Sequence, residues 1–296
     1  MGEGAQLYAP VLRDDDGAVD VVLGADHPGF SDPVYRERRN ALAGLALDWR
    51  PGEPLPEPDY SEVEHGVWRA VARQLEPLHA RHACRAYLEA KEDLGLPTDR
   101  VPQLREVTER LSPVTGFGYL PVAGLAPLRD FYGAFAGSVF FSTQYLRHPS
   151  MPLYTPEPDV VHEVVGHANQ LASPVFAPLY RLVGGAVSRT HTEEALRFLS
   201  RVFWFSLEFG VVFEDGEPKA YGAGILSSPG ETATYRSAEL RPLDVAAMGT
   251  APYDITRYQP VLFAARSLAH LTDTLSGFFA TFDDDAHARL LEGATA

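Results

Sequence analysis

The sequence predicts a single domain that is mostly α-helical and carries a small β element. Apolar residues recur at three- and four-residue steps through several long segments, which is the period of an amphipathic helix. Strand signal is sparse, and its clearest instance is a hairpin in which Asp215 and Gly216 separate the short runs 210–213 and 219–221. No break in composition divides the 296 residues, so we expect one domain.

Six helices are expected, over residues 32–47, 61–94, 101–111, 128–145, 192–210 and 261–278. Pro33 favours the start of the first helix, because proline fits the first helical turn. Ser61 and Glu64 form a capping-box pattern at the start of the second. The helix over 128–145 is largely apolar and is expected to be buried. Residues 48–58 contain four prolines and should form an extended connector.

The composition excludes several classes of protein. The formal net charge is -15, whereas a protein that tracks nucleic-acid phosphates needs a basic face. No window approaches the ~20 apolar residues of a membrane span, and the N-terminal residues lack the pattern of a signal peptide. The single cysteine, Cys84, excludes an internal disulfide framework and a thiolate metal cluster. We therefore expect a cytoplasmic protein that binds neither nucleic acid nor membrane.

Two histidines, His162 and His167, suggest a metal site. Their spacing is i,i+5, whereas the zinc-protease pattern needs i,i+4 to bring both imidazoles to one helix face. Five residues leave the second ring about 140° round an α-helix from the first, so both can meet one ion only if the helix bulges or ends there. Gly166 is the residue that would permit such an ending. The spacing weakens the zinc-protease interpretation.

Glu208 is the candidate third ligand. It lies inside a run of aromatic residues from Phe203 to Phe209. Burying an unpaired carboxylate there would cost several kcal/mol, so a cation or hydrogen-bond partner is expected. Two histidines and one carboxylate form the facial triad of non-haem Fe(II) oxygenases, which leaves coordination positions open. Such a set is about as often a structural feature as a metal site. Spacing alone leaves both interpretations open.

Eight stretches of sequence form a specific ordered pattern. They are ADHPGF (25–30), TGF (115–117), PVAGL (121–125), TQYLRH (143–148), YTPEPD (154–159), HEVVGH (162–167), WFSLEFG (204–210) and KAYGAGILSS (219–228). In this order they resemble the core sequence of the pterin-dependent aromatic amino acid hydroxylases, over about residues 24–278. The resemblance implies the catalytic-domain fold of that family, as a single domain.

The resemblance also implies cofactors, a substrate and the residues that bind them. Iron, as Fe(II), would be held by His162, His167 and Glu208. A tetrahydropterin would supply electrons to O₂ beside the metal, and its contacts would fall on Gly124, Leu125, Ala126, Phe131 and Glu163. The carboxylate of a free aromatic amino acid would meet Arg147, Thr155 and Ser227. The slot for the substrate ring would be lined by Pro158, Trp204, Gly224 and Ile255.

Several of these implied roles suit the chemistry of the side chains. The ring of Phe131 can stack on a flat pterin, and Glu163 can accept hydrogen bonds from its ring N–H groups. The guanidinium of Arg147 can hold a carboxylate through two parallel bonds. Two positions depart from animal members of the family. Phe141 stands where some have a histidine near the pterin, and Phe203 stands where they have a tyrosine.

The resemblance further divides the chain into three parts. We expect an N-terminal extension over residues 1–23, a catalytic domain over 24–282 and a polar C-terminal tail over 283–296. Animal members carry an N-terminal regulatory domain and a C-terminal tetramerisation helix, and neither is found in this sequence. We therefore expect a monomer.

Two markers bear on the substrate. Trp204 is typical of the phenylalanine and tyrosine branches, and Ile255 offers no hydrogen bond to a phenol, although the tryptophan branch also favours isoleucine there. We expect conversion of L-phenylalanine to L-tyrosine, as by a phenylalanine 4-monooxygenase. The alternatives within the family are 5-hydroxylation of L-tryptophan and meta-hydroxylation of L-phenylalanine. Outside it, they are a zinc hydrolase with Glu163 as general base, and a non-catalytic protein that binds metal or pterin.

Overall fold

The computed structural model describes residues 9–153, 155, 157–255 and 257–294. Outside them lie residues 1–8 of the predicted extension, Tyr154 and Pro156 of the YTPEPD stretch, Thr256, and the last two residues of the predicted tail. The α-helices of the described part are α1 (Pro33–Asp48), α2 (Glu62–His82), α3 (Arg85–Leu94), α4 (Leu104–Thr115), α5 (Leu128–Ala134), α6 (Asn169–Leu171), α7 (Ala177–Arg189), α8 (Glu193–Phe203), α9 (Ala223–Leu226), α10 (Pro229–Thr234), α11 (Val245–Thr250), α12 (Leu268–Thr281) and α13 (Asp284–Ala294).

Strands form three small sheets in this part of the chain. They are β1 (Val11–Arg13), β2 (Val19–Val21), β3 (Gly118–Pro121), β4 (Val139–Ser142), β5 (Val211–Glu214), β6 (Glu217–Ala220), β7 (Glu239–Pro242) and β8 (Val261–Ala265). β1 pairs with β2, β3 pairs in parallel with β4, and the third sheet has the order β6-β5-β8-β7. The mostly α-helical fold with a small β element is confirmed, and β5 and β6 form the predicted hairpin.

Local sequence signals set the starts of the first two helices. The carboxylate of Asp32 accepts hydrogen bonds from the backbone N–H groups of Val34 and Tyr35, and Pro33 occupies the first turn of α1. Ser61 and Glu64 form both bonds of the predicted capping box at the start of α2. Residues 53–61 between these helices are neither helix nor strand, as their prolines indicate.

The helix predicted over residues 61–94 is interrupted. It consists of α2 and α3, separated by Ala83 and Cys84. The N–H of Cys84 donates to the carbonyl oxygen of Ala220 at 2.9 Å, and Ala83 forms a β-bridge to the same residue. The chain leaves the helix here to pair with β6, a long-range contact that helical periodicity does not reveal.

Two other predicted helices are wrong over part of their length. In the stretch 128–145 only α5 is α-helical, and β4 follows it. In the stretch 261–278 the first five residues form β8, and α12 begins at Leu268. β8 lies between β5 and β7 and is largely buried, while Phe140 of β4 faces the core. Short apolar runs fit a buried strand as well as a helix, so periodicity cannot separate the two.

The core around α7 is aromatic. α7 packs against α5, α8 and α12, and Tyr180 of α7 is fully buried. Its ring contacts those of Phe117, Phe135, Phe140 and Phe203 edge to face. Large, closely packed rings restrict the conformations of the side chains that pack against them.

The two ends of the described chain are folded. β1 and β2 pack on α1, where Val21, Leu23 and Ala43 form a small separate core. The segment predicted as a polar tail forms α13, whose Ala286 and Leu290 pack against the main core, since apolar residues there recur at helical spacing. The domain boundaries themselves stay a prediction. No helix among the described residues is long and apolar enough to cross a membrane.

Candidate active site

Two short π-helical segments carry the residues predicted to bind metal. The first is His162–Ala168, and the second, Trp204–Glu208, directly continues α8. A π-helix closes its hydrogen bonds five residues apart, so it brings side chains at i and i+5 to the same side. This is the spacing of the two histidines. The sequence predicts that the helix either bulges or ends here, so that both histidines can meet one ion. The π-helical segment is such a bulge.

Gly166 has a different role from the expected one. The helix does not end at this residue but continues into α6. A Cβ atom at position 166 would lie 2.8 Å from the carbonyl oxygen of Ala223. Glycine is needed because α9 packs this closely against the π-helical segment. The contact also brings Ser227, which follows α9, next to the histidines.

The two imidazoles and the carboxylate of Glu208 converge. His167 Nε2 lies 3.0 Å from Glu208 Oε1 and 3.1 Å from His162 Nε2. His162 Nε2 lies 3.7 Å from Glu208 Oε2. All three side chains are largely buried. Two imidazole nitrogens and one carboxylate that face one point form a donor set suited to a divalent transition metal.

Glu163 is a second carboxyl group beside the same histidines. One of its oxygens and one nitrogen of each imidazole all lie within 4.8 Å of one another. Burial raises the pKa of Glu163 well above its usual range, and the charges of Glu208 and Asp159 add to this. Burial acts on Glu208 in the same direction, but the two histidines outweigh it and lower the pKa of Glu208. We favour Glu208 as the third donor, because a metal ligand must be deprotonated.

The outer nitrogen of each imidazole faces a hydroxyl group. His162 Nδ1 lies 2.9 Å from Ser227 Oγ, and His167 Nδ1 lies 2.8 Å from the hydroxyl oxygen of Tyr180. Such bonds hold the rings of metal-binding histidines in orientation. Ser227, predicted as a carboxylate contact of the substrate, therefore also contacts His162, which is predicted to bind the metal.

Arg147 forms a buried ion pair with Asp159. Its Nε and Nη2 donate to the two carboxylate oxygens at 2.9 and 2.7 Å, and its backbone N–H donates at 2.8 Å. Burial alone would raise the pKa of Asp159, but Arg147 outweighs it and holds this pKa below its usual range. Within the described part of the chain, Nη1 donates to no protein group. Arg147 can therefore offer one arm of its guanidinium to a ligand.

All the site residues predicted from the sequence line one cavity of about 730 Å³. This volume lies within the range of roughly 300–1,000 Å³ that is usual for small-molecule sites. They are Gly124, Leu125, Ala126, Phe131, Arg147, Thr155, Pro158, His162, Glu163, His167, Trp204, Glu208, Gly224, Ser227 and Ile255. The structure thus brings together residues that are up to 131 positions apart in the sequence (255 minus 124).

The part of the cavity predicted to hold the pterin offers one ring and one buried carboxyl group. Phe131 is half-buried, and its ring packs against those of Phe135 and Phe140 with centroids 5.1 and 5.5 Å away. The carboxyl group of Glu163 makes no hydrogen bond with any described residue and faces the cavity. A buried polar group without a protein partner is typical of a ligand contact. These residues fit a flat ring that carries N–H groups.

The part predicted to hold the substrate ring is flat and apolar. The indole of Trp204 stacks on the ring of Tyr253, with centroids 4.4 Å apart, and the ring of Phe209 packs against it at a tilt, with centroids 4.5 Å apart. Its Nε1–H donates to the side-chain oxygen of Gln259 at 3.3 Å. A Cβ atom at position 224 would lie 2.5 Å from the Phe209 ring, so only glycine allows this ring to pack so closely against the backbone. The slot suits an aromatic side chain.

Sequence reasoning missed Asp159, Tyr180 and Glu231. Asp159 stands three residues before His162 in the YTPEPD stretch, so its proximity could have been inferred. Tyr180 lies in an apolar helix and looks like an ordinary core residue. Glu231 lines the cavity and accepts the backbone N–H of Gln259 at 3.0 Å, and its short helix gave no sequence signal.

Comparison with known proteins identifies relatives over nearly the whole chain. Residues 17–290 match the family described as biopterin-dependent aromatic amino acid hydroxylase. Phenylalanine 3-hydroxylase of Streptomyces coeruleorubidus is 49% identical over 269 residues, which cover 91% of this chain and 96% of that protein. Phenylalanine-4-hydroxylase of Bos taurus is 41% identical over 265 residues, covering 88% of this chain and 58% of that protein. The chain therefore spans little more than half of this mammalian relative.

Solved structures agree with the sequence comparison. Phenylalanine hydroxylase of Chromobacterium violaceum with bound Fe(III) superposes with a TM-score of 0.74 at 31% identity, covering 82% of this chain and 87% of that one. A structure of the same enzyme with iron(III) and 7,8-dihydrobiopterin gives a TM-score of 0.71 at 32% identity, covering 75% and 83%. The predicted fold and family are confirmed. The chain belongs to the biopterin-dependent aromatic amino acid hydroxylases.

Proposed function

We propose that this chain is an iron-dependent monooxygenase that uses a tetrahydropterin to hydroxylate the ring of free L-phenylalanine. The observation that carries the proposal is the convergence of His162, His167 and Glu208 in the lining of a cavity that also presents Arg147 and Trp204. One cavity thereby offers a metal site, a cationic group and an apolar slot. Free phenylalanine has the carboxylate and the ring that match the last two.

Fe(II) is the metal that we propose for the two histidines and Glu208. This donor set leaves positions open for other ligands, which is typical of non-haem Fe(II) oxygenases. Together, the iron and a reduced pterin supply the activation of O₂ that ring hydroxylation requires. The likeness to the Chromobacterium enzyme, whose structure contains iron(III) and 7,8-dihydrobiopterin, supports both cofactors.

We propose that the pterin stacks on Phe131 and donates ring N–H groups to the carboxyl group of Glu163. The loop before α5, with Gly124, Leu125 and Ala126, would form another edge of this subsite. A bound pterin would provide the partner that Glu163 lacks among the described residues.

The substrate carboxylate would be held by Arg147 and Ser227. Asp159 occupies two nitrogens of the guanidinium and fixes its plane, which leaves Nη1 for the ligand. The hydroxyl of Ser227 can accept the Nδ1–H of His162 and still donate its own proton to a carboxylate. Thr155 donates its hydroxyl to the carbonyl oxygen of Glu157 at 2.6 Å, so its contribution is to hold the loop in shape.

The substrate ring would lie in the slot formed by Pro158, Trp204, Gly224 and Ile255. Apolar walls exclude water from the ring and fix its tilt towards the metal-binding residues. Ile255 offers no hydrogen bond to a phenol, so the slot favours phenylalanine over tyrosine.

Two ring positions compete for the reaction. The sequence alone predicts para attack, with L-tyrosine as product. The similarity to the Streptomyces phenylalanine 3-hydroxylase, at 49% identity, is greater than that to the Bos taurus phenylalanine-4-hydroxylase, at 41%. We therefore propose meta-tyrosine as the product, with L-tyrosine as the second candidate.

A product assay tests the function. The Fe(II)-loaded protein is incubated in air with a tetrahydropterin and equal amounts of phenylalanine, tyrosine and tryptophan, and products are identified by chromatography and mass spectrometry. We expect meta-tyrosine, and none when the pterin is omitted or the iron is chelated. L-tyrosine would keep the reaction and change the ring position, and 5-hydroxytryptophan would change the substrate. No product despite bound iron would support the non-catalytic alternative.

We also propose that the protein acts as a monomer in the cytoplasm. Ala286 and Leu290 of α13 pack on the core of their own chain, and Cys84 is a free, buried thiol as is usual in reducing compartments. Size-exclusion chromatography with light scattering should give the mass of one chain. A concentration-dependent dimer or tetramer would contradict this.

A further inference from the structure

A buried chain of polar groups lies behind His167. The hydroxyl of Tyr180, 2.8 Å from His167 Nδ1, also bonds to the side-chain oxygen of Gln170. The side-chain nitrogen of Gln170 donates to the carbonyl oxygens of Leu207 and Tyr221 at 3.1 and 2.9 Å. Gln170 and Tyr180 are fully buried, so bulk solvent does not reach these bonds.

The direction of each hydrogen bond in this chain can be deduced. A carbonyl oxygen only accepts, so the amide of Gln170 must turn its NH₂ group towards Leu207 and Tyr221. Its oxygen then faces Tyr180 and can only accept. The hydroxyl proton of Tyr180 is therefore donated to Gln170, and the hydroxyl oxygen accepts the remaining bond, from Nδ1–H of His167.

We propose that Gln170 and Tyr180 fix the tautomer of His167, with its proton on Nδ1 and a bare lone pair on Nε2. This Nε2 is the atom that faces Glu208 and His162 at 3.0 and 3.1 Å. The inference rests on the proposed metal site and adds positioning residues behind it. The hydroxyl of Tyr180 bonds to the outer nitrogen of His167 and not to the atoms that face the metal site, and Gln170 acts through Tyr180.

Gln170 also joins the two π-helical segments. It lies in α6, which directly follows His162–Ala168, and one of its two donated bonds ends on Leu207, the neighbour of Glu208. The side chain that sets the tautomer at one ligand therefore also fixes the backbone beside another. A change at Gln170 should disturb metal binding although Gln170 is not near enough to bind the metal itself.

His162 is held less strictly. Its Nδ1 faces Ser227 Oγ, whose only other acceptor in the described chain is the carbonyl oxygen of Gly224 at 3.4 Å. A serine hydroxyl with one long second bond can rotate and serve as donor or acceptor. The hydrogen bonds around His162 therefore permit either tautomer. The tautomer of His167, in contrast, follows from the backbone carbonyl groups of Leu207 and Tyr221, which orient Gln170.

Metal affinity tests the proposal independently of turnover. Co(II) is titrated into the metal-free protein and its Kd is read from the visible absorption of the bound ion. Tyr180→Phe should raise the Kd about 10–100-fold, the usual cost of losing a partner behind a metal-binding histidine. Gln170→Leu should raise it by a similar factor, because the freed hydroxyl of Tyr180 can then donate to Nδ1 and move the proton to Nε2.

Tyr235→Phe is the matched control. Its hydroxyl is buried and donates to the carbonyl oxygen of Pro218 at 2.7 Å, so the substitution removes a comparable bond away from the cavity. Its Kd should equal that of the wild type. If Gln170→Leu fails to fold, the nearly isosteric Tyr180→Phe still decides.

The tautomer itself can be read from the ¹⁵N chemical shifts of labelled histidines in metal-free Glu208→Ala, in which no carboxylate draws a proton to Nε2 of His167. We expect the Nδ1–H form for His167 in this variant and loss of that form when Gln170→Leu is added. An unchanged Kd in Tyr180→Phe, or an Nε2–H tautomer in Glu208→Ala, would overturn this inference and leave the proposed function intact. A wild type that binds no Co(II) would remove the proposed metal site, and the inference with it.

Discussion

Glu208 and Glu231 are both buried in the lining of the same cavity, but their surroundings shift their pKa values in opposite directions. Glu208 lies between two imidazoles, which outweigh its burial and lower its pKa. Glu231 accepts one backbone N–H, from Gln259, and burial raises its pKa to about 7. The first is ionised at neutral pH, whereas the second keeps its proton to a higher pH.

The difference teaches that burial alone does not make a carboxylate a metal ligand. An ionised carboxylate can remain buried only where cationic or metal-binding groups face it, as they do at Glu208. Where the neighbours offer a single N–H, the proton stays on and the group cannot bind a metal well. The pKa of Glu163 is raised, as is that of Glu231. The same reasoning therefore favours Glu208 over Glu163 as a metal ligand.

The largest effect is expected when the two carboxylates are replaced by amides one at a time. Glu208→Gln should lower pterin-dependent hydroxylation to background, because an amide neither carries the charge nor binds iron comparably. Glu231→Gln should retain most of the turnover, since no proposed step uses its charge. Product formation per protein chain measures both, with the iron content of each variant determined alongside. An equal loss of turnover in the two variants would contradict the different roles given to Glu208 and Glu231.

The second prediction concerns the pH dependence of stability. A carboxyl group whose pKa is raised in the folded state stabilises the protein fully at low pH, and this contribution is lost as the pH rises to about 7. The loss for Glu231 is roughly 3 kcal/mol between its unfolded pKa and pH 7. Glu231→Gln should therefore gain stability over the wild type at pH 8 and not at pH 4. Urea unfolding at both pH values gives the two differences, and equal differences would refute the assignment.

The smallest effect is expected at Arg147. Arg147→Lys should raise KM for the amino acid about tenfold, or ~1.4 kcal/mol, because a point charge cannot bond Asp159 in parallel and also reach the substrate. The iron content should stay that of the wild type, since the hydrogen bonds of Arg147 within the described residues go to Asp159 and not to the proposed metal ligands. Steady-state kinetics with metal analysis test this. An unchanged KM would remove Arg147 from the substrate site.

The sequence predicts the family, the fold class and the set of residues around the cavity, because these depend on ordered stretches of sequence. The i,i+5 spacing of the histidines also predicts a bulge or an ending, and the π-helical segment is that bulge. The ion pair of Arg147 with Asp159 was not predicted, although both residues lie in the stretches that identify the family.

Other features depend on contacts that no local pattern encodes. Strand β8 looks like the start of a helix until β5 and β7 pair with it. Gly166 seems suited to end a helix until α9 is seen packed against it. Gln170 looks like an ordinary polar residue, and only the carbonyl groups of Leu207 and Tyr221 orient it.

Iron retention in Glu208→Ala and Glu163→Gln, compared side by side, tests the central claim most directly. Each protein is loaded with Fe(II) without oxygen, passed through a desalting column and analysed for iron per chain. The account predicts that Glu208→Ala loses the iron while Glu163→Gln keeps about one per chain and instead binds the pterin more weakly. Retention by Glu208→Ala with loss in Glu163→Gln would contradict it and make Glu163 the third ligand.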